Sequence, residues 1–161
     1  MNTEEKLYKF GIIFYSRNAA SKDICMDILK WLQERKVSFA LEENSQLEDI
    51  TNLEYLKIDQ LARESEFLLV IGGDGSILRT SRHCARYDTI LVGLHRGTTG
   101  FLTQLTPENA FEGMQRLIDG SENYSIQNRM MLQTSVIREG KKITSFFGLN
   151  DTVLKVGSLS R

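Results

Sequence analysis

One carboxylate set among three glycines, Gly72-Gly73-Asp74-Gly75, ends the apolar run 67–71 and opens a polar, basic stretch that reads as helical. Glycine has no side chain to keep a ligand off the backbone, and Asp74 supplies the one reactive group left there. Backbone N–H groups in such a loop, together with the partial positive charge of a following helix N-terminus, suit phosphate oxygens. A carboxylate repels phosphate, so Asp74 calls for a hydroxyl, a cation or both. A hydroxyl nucleophile beside a phosphate-friendly loop describes phosphoryl transfer, in which a carboxylate orients or deprotonates the attacking oxygen. No Gly-x-x-x-x-Gly-Lys-Ser/Thr occurs, which excludes a P-loop. A plain Asp-Gly turn is the simpler reading of GGDG. A second glycine loop weighs against it: residues 93–101, GLHRGTTGF, close the next strand-like run at the same sheet edge, where ligands of open α/β sheets bind.

The elements that must position these loops follow from periodicity. Residues 10–15 form a short β-rich run, and Ser21 is a candidate N-cap for a helix reaching about residue 36, with Cys25, Ile28, Leu29 and Leu32 on one stripe. A second strand is predicted over 37–41, a polar connection over 42–55, and a short helix through Ile58, Leu61 and Ala62. Residues 67–71 are apolar throughout, as in a parallel strand covered on both faces. A helix over 76–84 and a strand over 90–94 complete a βαβ unit. Thr106 and Pro107 are the cap and first position of the next helix, which carries Ala110, Phe111, Met114, Leu117 and Ile118 on one face and ends before Gly120. Helical periodicity then stops. Residues 131–137 alternate, Glu139-Gly140 reads as a hairpin tip, and 143–154 is β-rich, interrupted by Gly148.

The expected organisation is therefore an α/β nucleotide-binding domain, 1–122, containing a parallel sheet and the GGDG loop. Residues 123–161 open an all-β second domain. Fewer than about 40 residues do not make a stable β domain, so the chain is expected to be a fragment or truncated product.

Composition narrows the class. At 161 residues and 41% hydrophobic the chain can bury a core, and 20 Lys and Arg against 21 Asp and Glu give no global field for nucleic acid or an acidic membrane. No run approaches the ~18 apolar residues of a membrane span, and the first residues lack a signal-like apolar segment. The expectation is a cytoplasmic protein with neither nucleic acid nor membrane as partner. Cys25 and Cys84 have no metal-ligand spacing to His83 or His95 and are expected to be ordinary thiols.

IGGDGSILR, GLHRGTTGFLTQL and GLNDTVLKVGSLSR resemble, in order and at fitting separations, the successive signatures of NAD kinases. GGDG by itself is shared with diacylglycerol-type lipid kinases and phosphofructokinases. The Gly-x-x-Arg-Gly-x-x-Gly-Phe-Leu segment and the Asn-Asp pair are more specific, and the Leu-Gly-Thr-x-Asn-Asp-type stretch of lipid kinases is missing. The resemblance implies transfer of the terminal phosphoryl of ATP, or polyphosphate, to the 2′-hydroxyl of the adenosine ribose of NAD, giving NADP. It also implies help from a divalent cation, Mg or Mn, for which no ligand set is assigned. By that likeness Asp74 accepts the hydroxyl proton, Asp74 and Gly75 contact the dinucleotide, and Arg79 neutralises phosphate. Phe101 walls the adenine pocket, or is a plain core aromatic. Asn150 and Asp151 read an adenine edge and ribose hydroxyls, or form a turn, and Arg161 adds a basic dinucleotide contact. His95 is expected at the surface without a chemical part, and Arg96 to orient its loop. Family members are longer, their Thr-Gly-Ser-Thr-Ala-Tyr-like stretch is absent here, and a homo-oligomer is expected at full length. The rival readings are a GGDG-type lipid or sugar kinase and a non-catalytic nucleotide-binding module.

Overall fold

A computed structural model of the chain describes residues 6–14, 19–45, 47, 53–95 and 100–155, with the backbone alone for 19–21. In chain order the elements are β1 (Tyr8–Phe14), α1 (Ala19–Glu34), β2 (Phe39–Glu42), β3 (Tyr55–Leu56), α2 (Ile58–Glu64), β4 (Ser65–Ile71), α3 (Asp74–Cys84), β5 (Ile90–Leu94), α4 (Ala110–Asp119), β6 (Leu132–Arg138) and β7 (Lys141–Gly148).

β1 to β5 form one sheet in the order β3-β2-β1-β4-β5, and every pairing is parallel. Parallel strands need crossovers that return over a face, and the helices supply them on both sides. Cys25, Ile28, Leu29 and Leu32 of α1 join Ala110, Met114 and Leu117 of α4 against Phe10, Ile12, Phe67, Leu69 and Val92 on one face. Leu61 and Ala62 of α2 join Ile77 and Cys84 of α3 against Ile13, Leu68 and Val70 on the other. β1 and β4 are covered twice, which is why their runs are continuously apolar rather than alternating. Gly11 sits where α2 comes closest: a Cβ there would lie 2.7 Å from Leu61 Cγ and 2.4 Å from Leu68 Cδ2. α1 closes with Lys36 in the left-handed region (φ 54°) and the Val37 N–H on the Leu32 carbonyl at 3.0 Å, a Schellman-type end without the usual glycine.

β6 and β7 make a separate antiparallel pair. Its tip is the predicted one: Glu139 (φ 51°) and Gly140 (φ 73°) both have positive φ, as a type I′ turn requires. Residues 121–123 form a single 3-10 turn between α4 and the hairpin.

Several expected boundaries move. α1 starts at Ala19, so Ser21 lies inside the helix rather than capping it. α3 starts at Asp74, two residues before the expected 76. Thr106 does not cap α4, which begins at Ala110; the Thr106 N–H donates to Asn109 Oδ1 (2.7 Å) and residues 106–109 close a turn of their own. That turn also uses the Thr106 side chain, whose hydrogen bond holds the Glu108 carboxyl below its usual range. The last β run stops at Gly148, because the chain bends back there. A Cβ on Gly148 would lie 2.7 Å from the Asp151 carbonyl oxygen. Among the described residues no helix is long and apolar enough to cross a membrane.

Candidate functional site

The register levels three strand ends. Phe14 pairs with Ile71, and Ile71 pairs with Leu94, so the C-terminal ends of β1, β4 and β5 lie side by side. The strand order reverses between β1 and β4, since the chain winds out to β3 and then restarts at β4 on the other side. Ligands of open α/β sheets bind in the crevice at such a switch point, and Gly72-Gly73-Asp74-Gly75 leaves β4 directly at it.

The glycines of that loop divide into two kinds. A Cβ on Gly72 would sit 2.4 Å from Ser76 Oγ, so the fold itself needs a bare residue there; its N–H extends the β4–β5 ladder to the Leu94 carbonyl (2.9 Å). At Gly73 and Gly75 a Cβ would meet nothing within 4 Å. The fold does not require those two to lack side chains, whereas a ligand approaching the backbone does. Gly73 is the N-cap of α3 and Asp74 its first residue, where the helix dipole favours a negative side chain or a bound anion.

Asp74 is half-buried and reaches sideways into the second glycine loop. Its Oδ2 accepts from the Phe101 N–H at 2.8 Å and its Oδ1 from the Leu102 N–H at 3.0 Å. That loop is in turn tied to β5. The Gly93 carbonyl accepts from the N–H groups of Gln104 (2.9 Å) and Leu105 (2.8 Å), the Gly93 N–H donates to Gln104 Oε1 (2.8 Å), and the His95 N–H donates to the Leu105 carbonyl (3.0 Å). Asp74 thus joins the GGDG loop to residues 101–102, at the end of the second glycine segment.

Gly75 and Arg79 are exposed and share one face of α3 at i, i+4. Phe101 is 97% exposed, which excludes the plain core aromatic. Asn150 and Asp151 are exposed in the bend after β7, and among the described residues no hydrogen bond ties them to either glycine loop. Arg161 and Arg96 lie outside the described residues. His95 is not at the surface as expected but 6% exposed, because it is enclosed at the end of β5, and among the described residues neither its Nδ1 nor Thr103 Oγ1 has a hydrogen-bond partner. The contribution of Gly100 was missed from sequence, where it reads as one more loop glycine. A Cβ there would lie 2.2 Å from Asp74 Oδ1. A cavity of about 1450 Å³ lies elsewhere, between the outer edge of β5, α3, α4 and residues 122–131; Asp74 does not line it.

A parallel sheet wound in both directions from one switch point, with the GGDG loop at that point, defines a doubly wound α/β domain. Residues 10–122 match the family model described as the ATP-NAD kinase N-terminal domain, and the chain belongs to that family. A protein named NAD kinase from Natranaerobius thermophilus is 38% identical over 103 residues, covering 64% of this chain and 35% of the relative. An NAD kinase from Shewanella putrefaciens is 28% identical over 160 residues, 99% of this chain and 51% of the relative. The chain thus spans about half the length of that relative or less of the other. A crystal structure of yeast NADH kinase complexed with NADH shares the fold, with a TM-score of 0.70 and 14% identity over 89% of this chain and 47% of that one.

Proposed function

We propose that the chain contributes the Asp74 side of an NAD kinase active site, transferring the terminal phosphoryl of ATP or polyphosphate to the 2′-hydroxyl of the adenosine ribose of NAD. The observation that carries this reading is a carboxylate at a doubly wound switch point, on a loop whose Gly73 and Gly75 leave the backbone open to a ligand. Family membership and the relatives' names support the same reaction.

In this mechanism Asp74 accepts the hydroxyl proton as the oxygen attacks phosphorus, while open N–H groups at the start of α3 and Arg79 offset charge on the phosphoryl group. Phe101 offers an exposed ring to the adenine. Asn150, Asp151 and Arg161 complete the dinucleotide contacts from residues 123–161, which begin an all-β unit needed for turnover. A divalent cation stabilises charge on the phosphates when bound. Among the described residues no three His, Cys, Asp or Glu side chains converge, which fits a cation carried mainly by substrate phosphates rather than a protein cage.

The test is incubation of the full-length gene product with ATP and Mg²⁺ and, separately, NAD, diacylglycerol and a sugar phosphate. Phosphorylation of NAD alone is expected, and none from the 161-residue chain by itself. Product with the lipid or sugar replaces this reading by the rival kinase, and NAD binding without turnover replaces it by the regulatory module.

A further inference from the structure

Phe101 presents an almost fully exposed ring, and a ring in water is held in place by its backbone or not at all. Gln104 and Leu105 are hydrogen-bonded to β5, but the N–H groups of Phe101 and Leu102 point across to the neighbouring loop and find both oxygens of Asp74. This two-point grip is possible only because Gly100 is bare: the Cβ of any other residue would lie 2.2 Å from Asp74 Oδ1, 2.7 Å from Cγ and 3.0 Å from Oδ2. Each carboxylate oxygen has two lone pairs, so one apiece goes to the amides and one apiece remains for a substrate hydroxyl.

We propose that Asp74 and Gly100 form a latch joining the two glycine loops into one ligand-gripping unit. The Asp74 carboxylate sets the Phe101–Leu102 backbone, and with it the aromatic wall for a purine. Gly100 is the positioning residue that lets the carboxylate dock. Asp74 thus has a binding role separable from its part in proton transfer. The identity of the purine ligand rests on the NAD kinase reading; the latch itself rests on the geometry alone.

The test is a double-mutant cycle in the intact chain, with Asp74→Ala, Gly100→Ala and the two combined. In the parent the Phe101 and Leu102 amides exchange slowly with solvent. Each single substitution is expected to speed both by about tenfold or more, the scale of a lost hydrogen bond to a charged group. Once Asp74 is cut back to alanine, the carboxylate atoms that crowd position 100 are gone, so the double variant exchanges no faster than Asp74→Ala. Asp74→Asn keeps one acceptor oxygen and falls between parent and Asp74→Ala, which separates the latch from general unfolding. Calorimetry of the full-length gene product with NAD is expected to show the same non-additivity, each single weakening binding about tenfold and the double no further. Additive effects, or unprotected Phe101 and Leu102 amides in the parent, overturn the latch. A coupled exchange cycle without NAD binding in any protein retires the NAD reading and leaves the latch standing.

Discussion

β4 and β6 are strands of seven residues each, and both come from β-prone sequence. In β4 all but one residue are buried; in β6 all but one are exposed. The difference lies in what surrounds them. β4 sits between β1 and β5 and under helices on both faces. Among the described residues β6 pairs only with β7, and the outward face of this hairpin presents Leu132 and Val136 of β6 and Phe146 of β7 at 43%, 43% and 59% exposure. The hairpin's other face touches the α/β layer through Phe147, whose ring lies 5.7 Å from the Arg86 guanidinium carbon. A strand's own composition therefore does not determine its burial; the number of layers packed on it does. The proposed site divides along the same line, with Asp74 half-buried and hydrogen-bonded in the layered half and Asn150 and Asp151 exposed beyond the hairpin.

The largest test of that division is kinetic. In the full-length gene product, Asp74→Asn is expected to lower turnover by ~10²–10⁴, because the amide cannot take the hydroxyl proton. Asp151→Ala should instead raise KM for NAD about tenfold with kcat nearly kept, the scale of a lost charged hydrogen bond. Steady-state kinetics of the two variants separate reaction from binding, and equal losses of kcat in both would dissolve the distinction.

Leu69→Ala probes the layered half directly. Leu69 has 0% exposure at the centre of the sheet, and a truncation there is expected to cost about 2–5 kcal/mol in urea unfolding. A cost under about 1 kcal/mol means that the face is not closed as described.

The thiols supply a pH test of the same closure. Burial pushes Cys25 and Cys84 up to about 12 from an ordinary 9.0. Below pH 9 both states keep these protons and the thiols contribute no pH dependence. From about 9 to about 12 the unfolded chain ionises while the folded one does not, so stability falls as pH rises through that window. Cys25→Ala with Cys84→Ala should flatten this part of the stability curve. Unchanged slopes would show that the thiols are not closed off from solvent.

The smallest effect belongs to the hairpin. Phe146→Ser is expected to change stability by no more than about 0.5 kcal/mol in the same urea titration, as is usual for a surface side chain. A larger loss would show that the apolar hairpin face is already covered in the chain.

Local pattern carries much of this molecule. Continuous apolarity marks 67–71 as a doubly covered strand, the α4 stripe marks its buried face, and Glu139-Gly140 marks the hairpin tip, because each depends on residues a few positions apart. The GGDG loop was legible for the same reason. Less legible were the limits of elements without strong caps, such as the start of α4, where Asn109 rather than Thr106 precedes the first helical residue.

By itself the sequence determined the βαβ grammar, the two glycine loops and the identity of the one carboxylate among them. Only the tertiary structure decided that β4 and β5 are neighbours with Ile71 level with Leu94. From that register follow the burial of His95, the bonds from Asp74 to amides 27 and 28 residues away, and the need for a bare residue at Gly100. Periodicity reports which face of an element is apolar, but not which other element covers it. A hydrogen bond between two loops exists only once the sheet has placed their strands side by side.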